Sequence, residues 1–296
     1  MFYLGTILAC IVGYFIGGIS WSIVIVNIRR GIDVRTTGSG NAGATNTTRL
    51  IGKGWGFLTV VLDGFKVVIT SLVAVGLSAI PNELFSQTSY FIPAIFVLIG
   101  HCFPIYYKFK GGKAVSCFLG LLFVINYLYL IIFLIVWFSL AALTRKVSIA
   151  SIAGALVVGA LIWIPYIHGI TDVSAMYRPE NLWNAYDVWN QGPWEQGYIF
   201  AWFNAFHKAI NQSQYMIDAG IVPYATGMLE MQVVVIIGMS ILAWRHFPNM
   251  KRIKAKTEPI TFEKMTPEEK RAYKNKIKLD NKIAKQNKKK HNKIII

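Results

Sequence analysis

Charge is scarce in this chain. Of its 296 residues only 15% are Asp, Glu, Lys or Arg, against an apolar fraction of 54% and a mean hydropathy of +0.46. A soluble domain carries about 25% charge, so the composition argues against a soluble domain, a disordered chain or a disulfide scaffold. It indicates an integral membrane protein. Cysteine is also sparse: Cys10, Cys102 and Cys117 form no CxxC pair and lie in apolar or membrane-edge sequence, which implies no disulfide framework or metal site. No His/Cys/carboxylate cluster has ligand spacing, so neither metal nor organic cofactor is expected. Acidic residues number 14 against 30 basic ones, a formal net charge of +16. Between Arg245 and Ile296 there are 17 Lys/Arg and 5 Asp/Glu, so +12 of that +16 sits in one C-terminal tail. The tail lacks the aromatic interleaving of a single-strand binder, and no nucleic-acid partner is expected.

What is abundant is apolar sequence in long runs. A bilayer-spanning helix needs roughly 20 mainly apolar residues. Phe2 to Ile28 carries no charge, and Arg29-Arg30 follow it rather than precede it. That order predicts a retained first helix rather than a cleaved signal peptide. Further runs are Trp55–Ile80, Tyr90–Tyr107, Ala114–Leu143, Val147–Ile167 and Leu229–Trp244. Basic residues mark the cytoplasmic side, and they gather at 29–53, at 101–113 and at Arg145-Lys146. The run from Ala114 to Leu143 must therefore cross an even number of times, as two short helices turning near Asn126-Tyr127. The expected fold is an all-α integral membrane protein of seven transmembrane helices, N-terminus outside and C-terminus cytoplasmic. Residues 168–230 hold Arg178 and Lys208 against six acidic residues, which agrees with an outer position for the segment between helices 6 and 7.

This pattern divides the chain into a membrane core at 1–167 with cytoplasmic loops, an aromatic-rich outer insertion at 168–228, helix 7 with a further motif at 229–258, and a basic cytoplasmic tail at 259–296. The insertion contains Trp183, Trp189, Trp194 and Trp202. It reads as an ordered cap whose aromatics rest at the membrane interface, with a binding surface as the alternative. The tail offers a capping box at Thr266-Pro267-Glu268-Glu269. It is either a solvated tail or a contact for anionic lipid of the inner leaflet.

The chemistry gathers on the cytoplasmic side. Thr37 to Arg49 reads TGSGNAGATNTTR. Glycines let backbone amides approach an anion, hydroxyls and amides add hydrogen bonds, and Arg49 suits bidentate contact with phosphate. The spacing is not a Walker loop. Gly100-His101-Cys102-Phe103-Pro104 leads to Phe109-Lys110-Gly111-Gly112-Lys113, two lysines flanking a Gly-Gly turn. After the last span come Arg245-His246-Phe247-Pro248-Asn249-Met250-Lys251-Arg252 and then Glu258. Asp63 and Lys66, at i and i+3, share a helical face. They are either a structural ion pair or an orienting element for the anion site.

These residues resemble the bacterial membrane glycerol-3-phosphate acyltransferases that use an acyl phosphate donor, the PlsY family. The first motif of that family is similar to Gly38-Ser39-Gly40-Asn41-x-Gly43-Ala44-Thr45-Asn46-x-x-Arg49. The second is similar to Gly100-His101-x-Phe103-Pro104 with Phe109–Lys113, and the third to His246-x-x-Asn249-x-x-Arg252 with Glu258. A Ser-containing turn matches at Arg145-x-Val147-Ser148. The chain departs from the pattern at Ala114 and Lys256, where glycine is commoner.

The resemblance implies acyl transfer to the 1-hydroxyl of sn-glycerol 3-phosphate, giving lysophosphatidic acid and phosphate, in a bacterial cell membrane. Substrate-binding roles fall on Gly38, Gly40, Asn41, Thr45, Asn46, Arg49, His101, Lys110, Gly111, Gly112, Lys113, Arg252 and Glu258. Catalytic roles fall on His246, Asn249, Ser39 and Ser148. No His-x4-Asp motif is present, which disfavours a coenzyme A thioester donor. The competing class is a transporter for an organic phosphate or another anion. Against it stand polar loops on one face and the lack of an inverted repeat.

Overall fold

The computed structural model describes residues 3–164, 167, 174, 177–183, 224 and 226–258. Most of the outer insertion and the whole tail beyond Glu258, including the capping box at Thr266, lie outside the described residues. Within them the fold is helical, with nine α-helices: α1 Leu4–Gly18, α2 Trp21–Arg30, α3 Ala44–Ile51, α4 Lys53–Ser78, α5 Ile92–Cys102, α6 Val115–Ile125, α7 Tyr127–Thr144, α8 Val147–Leu161 and α9 Met228–Lys254. Four segments are long and apolar enough to cross a membrane: Leu4–Arg30, Lys53–Ser78, Tyr127–Thr144 and Met228–Lys254. Shorter apolar helices follow Ile92, Val115 and Val147.

Burial is inverted relative to a soluble protein. Phe57, Phe65, Ile135, Phe138, Leu143 and Leu156 are exposed, while Thr59, Asp63, Lys66 and Thr70 are buried along one stripe of α4. Apolar surface on this scale marks contact with lipid. The chain is a multi-pass membrane protein.

Local chemistry explains the breaks. The first apolar run is not one straight helix, as its length suggests: α1 ends at Gly18 and α2 begins after Ser20, which is extended at ψ 100°. The 30-residue run divides at Asn126, whose side chain accepts from the Leu128 amide at 2.8 Å as an N-cap. The helices on either side fold back on each other, since Phe118 and Phe133, nearly equidistant from the break, have ring centroids 6.0 Å apart. The third run ends its α-helix at Cys102, before Pro104, and resumes as a short 3-10 turn at Ile105–Tyr107. A proline two residues on cannot supply the next helical donor.

Small residues bring the helices close. A methyl at Gly13 would press on the Pro93 carbonyl at 2.9 Å, and one at Gly17 would strike Val97. These contacts run α1 parallel to α5. Gly64 meets Gly120 between α4 and α6 in the same way. Close backbone approach through glycine is the usual device where lipid gives no hydrophobic drive between helices. Helix directions alternate consistently: Gly17 lies by Lys66 and Gly13 by Thr70, so α1 and α4 are antiparallel. Gly159 meets Met239 while Ser148 meets Asn249, so α8 and α9 are antiparallel as well. This bundle carries the loop after α2, the loop before α6, the start of α8 and the end of α9 to one end.

Candidate active site

At that end Asn249 is the hub. It sits near the end of α9, 4% exposed. Its Oδ1 accepts from Lys113 Nζ at 2.7 Å, and its Nδ2 donates to Ser148 Oγ and to Glu258 Oε1, both at 2.7 Å. Ser148 Oγ also donates to Glu258 Oε1 at 2.9 Å, and Arg252 Nε donates to Glu258 Oε2 at 2.9 Å. Residues more than a hundred positions apart thus meet in one hydrogen-bonded set. Thr257 closes the chain back onto the helix through its amide and the Arg252 carbonyl, 2.8 Å, which delivers Glu258 to the cluster.

The electrostatics are those of an anion site. Burial and the like charges of Arg252, Arg245 and Arg49 push the Lys113 ammonium down to about 8, against the opposing pull of Glu258. Burial also lowers Arg49, again opposed by Glu258. Burial pulls the Glu258 carboxyl upward, but the donors Arg252, Ser148 and Asn249 outweigh it and hold it below the ordinary carboxylate range. Three cations, Arg49, Lys113 and Arg252, therefore share one carboxylate, and the surplus of positive charge suits a phosphate dianion.

His246 is 2% exposed, one turn before Met250 on α9. Its Nδ1 lies 2.8 Å from the Leu242 carbonyl. A carbonyl only accepts, so Nδ1 carries a proton, and in the neutral ring the lone pair then lies on Nε2. This is the tautomer a general base needs.

The first glycine-rich loop is stapled by Asn46. Its Nδ2 donates to the carbonyls of Val34 (2.8 Å), Thr37 (3.0 Å) and Asn41 (3.2 Å), and its Oδ1 accepts from the Ser39 amide (3.2 Å). Gly38 and Gly40 take φ +61° and +69°, and a methyl on Gly38 would strike the Asn46 amide oxygen. Asn46 is buried, and both ends of its side-chain amide bond to the loop, which they shape. Ser39, Asn41 and Thr45 stay partly exposed around it, with Arg49 half-buried one helical turn beyond Thr45. Ala44 and Thr45 open α3, where backbone amides carry no bond within the helix.

The second loop also differs from expectation. Gly111 N donates to the Cys102 carbonyl at 3.2 Å and Gly112 N to the His101 carbonyl at 3.0 Å. The turn thus spends its amides on the end of α5 and presents Lys113 instead. Its carbonyls accept from Arg245, Nε to Gly112 at 3.1 Å and Nη2 to Gly111 at 3.3 Å. His101 is buried beneath the turn, with its Nε2 facing Gly112. Lys110 is exposed, and its carbonyl accepts from Arg35 Nη1 at 3.0 Å. Arg35, clasped by Asp33, also reaches the Tyr107 carbonyl at 2.9 Å. Arg35 and Arg245 read in the sequence only as basic charge, yet they tie the loops together. No group of three or more His, Cys, Asp or Glu among the described residues has metal-binding geometry.

A helical membrane protein with a cationic cluster built from three loops at one end is the class defined by this fold and site. The family model "Glycerol-3-phosphate acyltransferase" matches residues 7–182. A protein of Mycoplasma mycoides subsp. mycoides named glycerol-3-phosphate acyltransferase is 54% identical over 264 residues, covering 89% of this chain and 96% of that one. The chain belongs to the glycerol-3-phosphate acyltransferase family. The alignment is longer than residues 1–167 and 229–258 together, so it extends into the insertion or the tail. Two crystal structures of PlsY, an integral membrane glycerol 3-phosphate acyltransferase, share the fold. The glycerol 3-phosphate form has a TM-score of 0.56 at 24% identity, covering 87% of this chain and 96% of that one. The lysophosphatidic acid form has 0.54 at 22%, covering 86% and 94%.

Proposed function

We propose that this protein transfers an acyl group from acyl phosphate to the 1-hydroxyl of sn-glycerol 3-phosphate, releasing lysophosphatidic acid and inorganic phosphate. The observation that carries this reading is the convergence of Arg49, Lys113 and Arg252 on the Glu258 carboxylate, with Arg245 close enough to act on Lys113. The family membership and the activity for which its relatives are named support it. Both substrates are anionic, and the donor also has an acyl chain, which requires a pocket beside apolar helices.

In the step proposed, the substrate hydroxyl oxygen attacks the acyl carbonyl carbon and the bond from that carbon to the phosphate oxygen breaks. The hydroxyl proton passes to His246 Nε2 or to the departing phosphate. An acyl phosphate is already activated, so positioning and charge stabilisation supply most of the catalysis. Lys113, Arg49 and Arg252 hold phosphate groups. Ser148 and Asn249 orient the reactants, and Ser39, Gly38, Gly40, Asn41 and Thr45 line the adjoining loop. Glu258 orders Arg252.

The accompanying topology has seven crossings, with the N-terminus outside and this site on the cytoplasmic face of a bacterial cell membrane. The basic loops and the alternating helix directions support it. At 11 residues, α6 is about 16 Å long, roughly half of the hydrocarbon thickness. Its outer turn at Asn126 is buried, with Nδ2 donating to the Ile167 carbonyl at 3.0 Å, as irregular backbone at membrane depth requires.

Replacement of Arg49 by Ala in protein reconstituted in liposomes tests the reading. Loss of acyl transfer with normal insertion supports it. Glycerol 3-phosphate uptake into sealed vesicles without acyl transfer would establish a transporter instead.

A further inference from the structure

Beneath the Gly111-Gly112 turn lies a second ionisable group, shielded from solvent. Asp63 and Lys66 are 1% and 2% exposed on α4, with Lys66 Nζ 2.6 Å from Asp63 Oδ1 and donating to the Gly17 carbonyl of α1 at 3.3 Å. His101, at the end of α5 and 4% exposed, places Nδ1 3.8 Å from Asp63 Oδ1. The other side of its ring faces Gly112: a methyl there would collide with His101 Nε2 and, at 2.6 Å, with the Ala42 carbonyl of the first loop.

An ion pair taken out of water is poorly repaid by its own attraction, and apolar residues of similar volume are often as stable. Asp63 Oδ2 and His101 Nδ1 also have no hydrogen-bond partner, a further cost. Stability of the bundle therefore does not explain the group. Its location does, because the contacts run from α1 through Lys66 and Asp63 to His101, then to the turn that carries Lys113. Arg245 grips the same turn from the other side through both glycine carbonyls.

We propose that Asp63, Lys66 and His101 are positioning residues for the phosphate-binding lysine. Lys66 anchors the Asp63 carboxylate, the carboxylate orients the His101 ring, and the ring sets the height of Gly112 and so the reach of Lys113. This role rests on the acyltransferase reading above. A misplacement of about 1 Å costs on the order of 100-fold in rate where catalysis depends on orientation.

The test separates positioning from folding. Asp63→Asn and Lys66→Met each leave a lone buried charge, whereas the double variant Asp63→Asn/Lys66→Met leaves no buried charge. The double variant is expected to regain insertion and thermal stability, yet to keep a kcat/KM for glycerol 3-phosphate about 100-fold below wild type. Wild-type kinetics in the double variant would make the pair a folding element and overturn the proposal. His101 provides an independent arm. His101→Leu is expected to lose about 100-fold, and His101→Asn, which keeps a polar group facing the Asp63 carboxylate, to stay within about tenfold. Equal losses in the two, or none in either, would also overturn it. A wild-type protein that forms no lysophosphatidic acid would refute the acyltransferase reading itself. The positioning role is then read from thermal stabilisation by inorganic phosphate, present in wild type and lost in His101→Leu. Its persistence in His101→Leu would refute the positioning role.

Discussion

The charge on Lys113 can be isolated by pH. Burial and the neighbouring Arg252, Arg245 and Arg49 bring its ammonium from 10.5 to about 8, against the pull of Glu258. That displacement corresponds to about 3 kcal/mol against the charged form in the empty site, and a bound dianion returns much of it. The sign follows directly. Below pH 8 the free protein holds the cation proposed to bind phosphate, and as pH rises through 8 it loses that cation. Because kcat/KM reports the free enzyme and kcat the loaded one, kcat/KM for glycerol 3-phosphate should fall about tenfold per pH unit above pH 8, while kcat holds to higher pH. The second ionisation of a phosphate monoester, near about 6, affects only the acid limb. Lys113→Arg stays charged throughout, so its alkaline limb should move beyond about pH 10 even though its rate drops for want of the 2.7 Å contact to Asn249. Initial rates of lysophosphatidic acid formation in liposomes, from about pH 6 to about pH 10, measure both. A wild-type kcat/KM that stays flat to about pH 10, or an identical limb in Lys113→Arg, would refute the reasoning.

Other perturbations follow from the same geometry. Asn249→Ala removes three hydrogen bonds, two of them to charged groups, and should lower stability by about 2–4 kcal/mol as well as activity; thermal unfolding in detergent and transfer rates check both. Gly112→Ala drives a methyl into His101 and the Ala42 carbonyl and should reduce kcat/KM by about 100-fold with little effect on insertion. Asn46→Ala frees the carbonyls of Val34, Thr37 and Asn41 and should raise protease cleavage within residues 34–43, together with KM. Glu258→Gln weakens the Arg252 pairing and should raise the salt sensitivity of KM, measured from low to high ionic strength.

Much of this arrangement is legible in the sequence. Charge placement demanded a break in the run from Ala114 to Leu143, and the chain turns at Asn126, an N-cap residue in apolar sequence. The three polar loops identified themselves by composition, and Ser148, Asn249, Arg252 and Glu258 do meet, with Lys113. What stayed hidden is how each loop spends its donors. Glycine-rich sequence suggests free amides, but those of Gly111 and Gly112 are consumed by carbonyls at the end of α5, and only the fold brings that helix end beside the turn. Asn46 is expected among the substrate contacts, and the fold adds that its side-chain amide donates to the carbonyls of Val34, Thr37 and Asn41. Arg35 and Arg245 counted as positive-inside charge, and their clamping role depends on contacts far along the chain. The kink between α1 and α2 was invisible because Gly17, Gly18 and Ser20 are all tolerated within a membrane helix.

The most direct test of the central claim uses purified protein in lipid with labelled glycerol 3-phosphate, given palmitoyl phosphate in one reaction and palmitoyl-coenzyme A in the other. Labelled lysophosphatidic acid should form with the acyl phosphate alone, with one inorganic phosphate released per product. Product from the thioester would contradict the donor assignment, and no product from either in folded protein would contradict the acyltransferase.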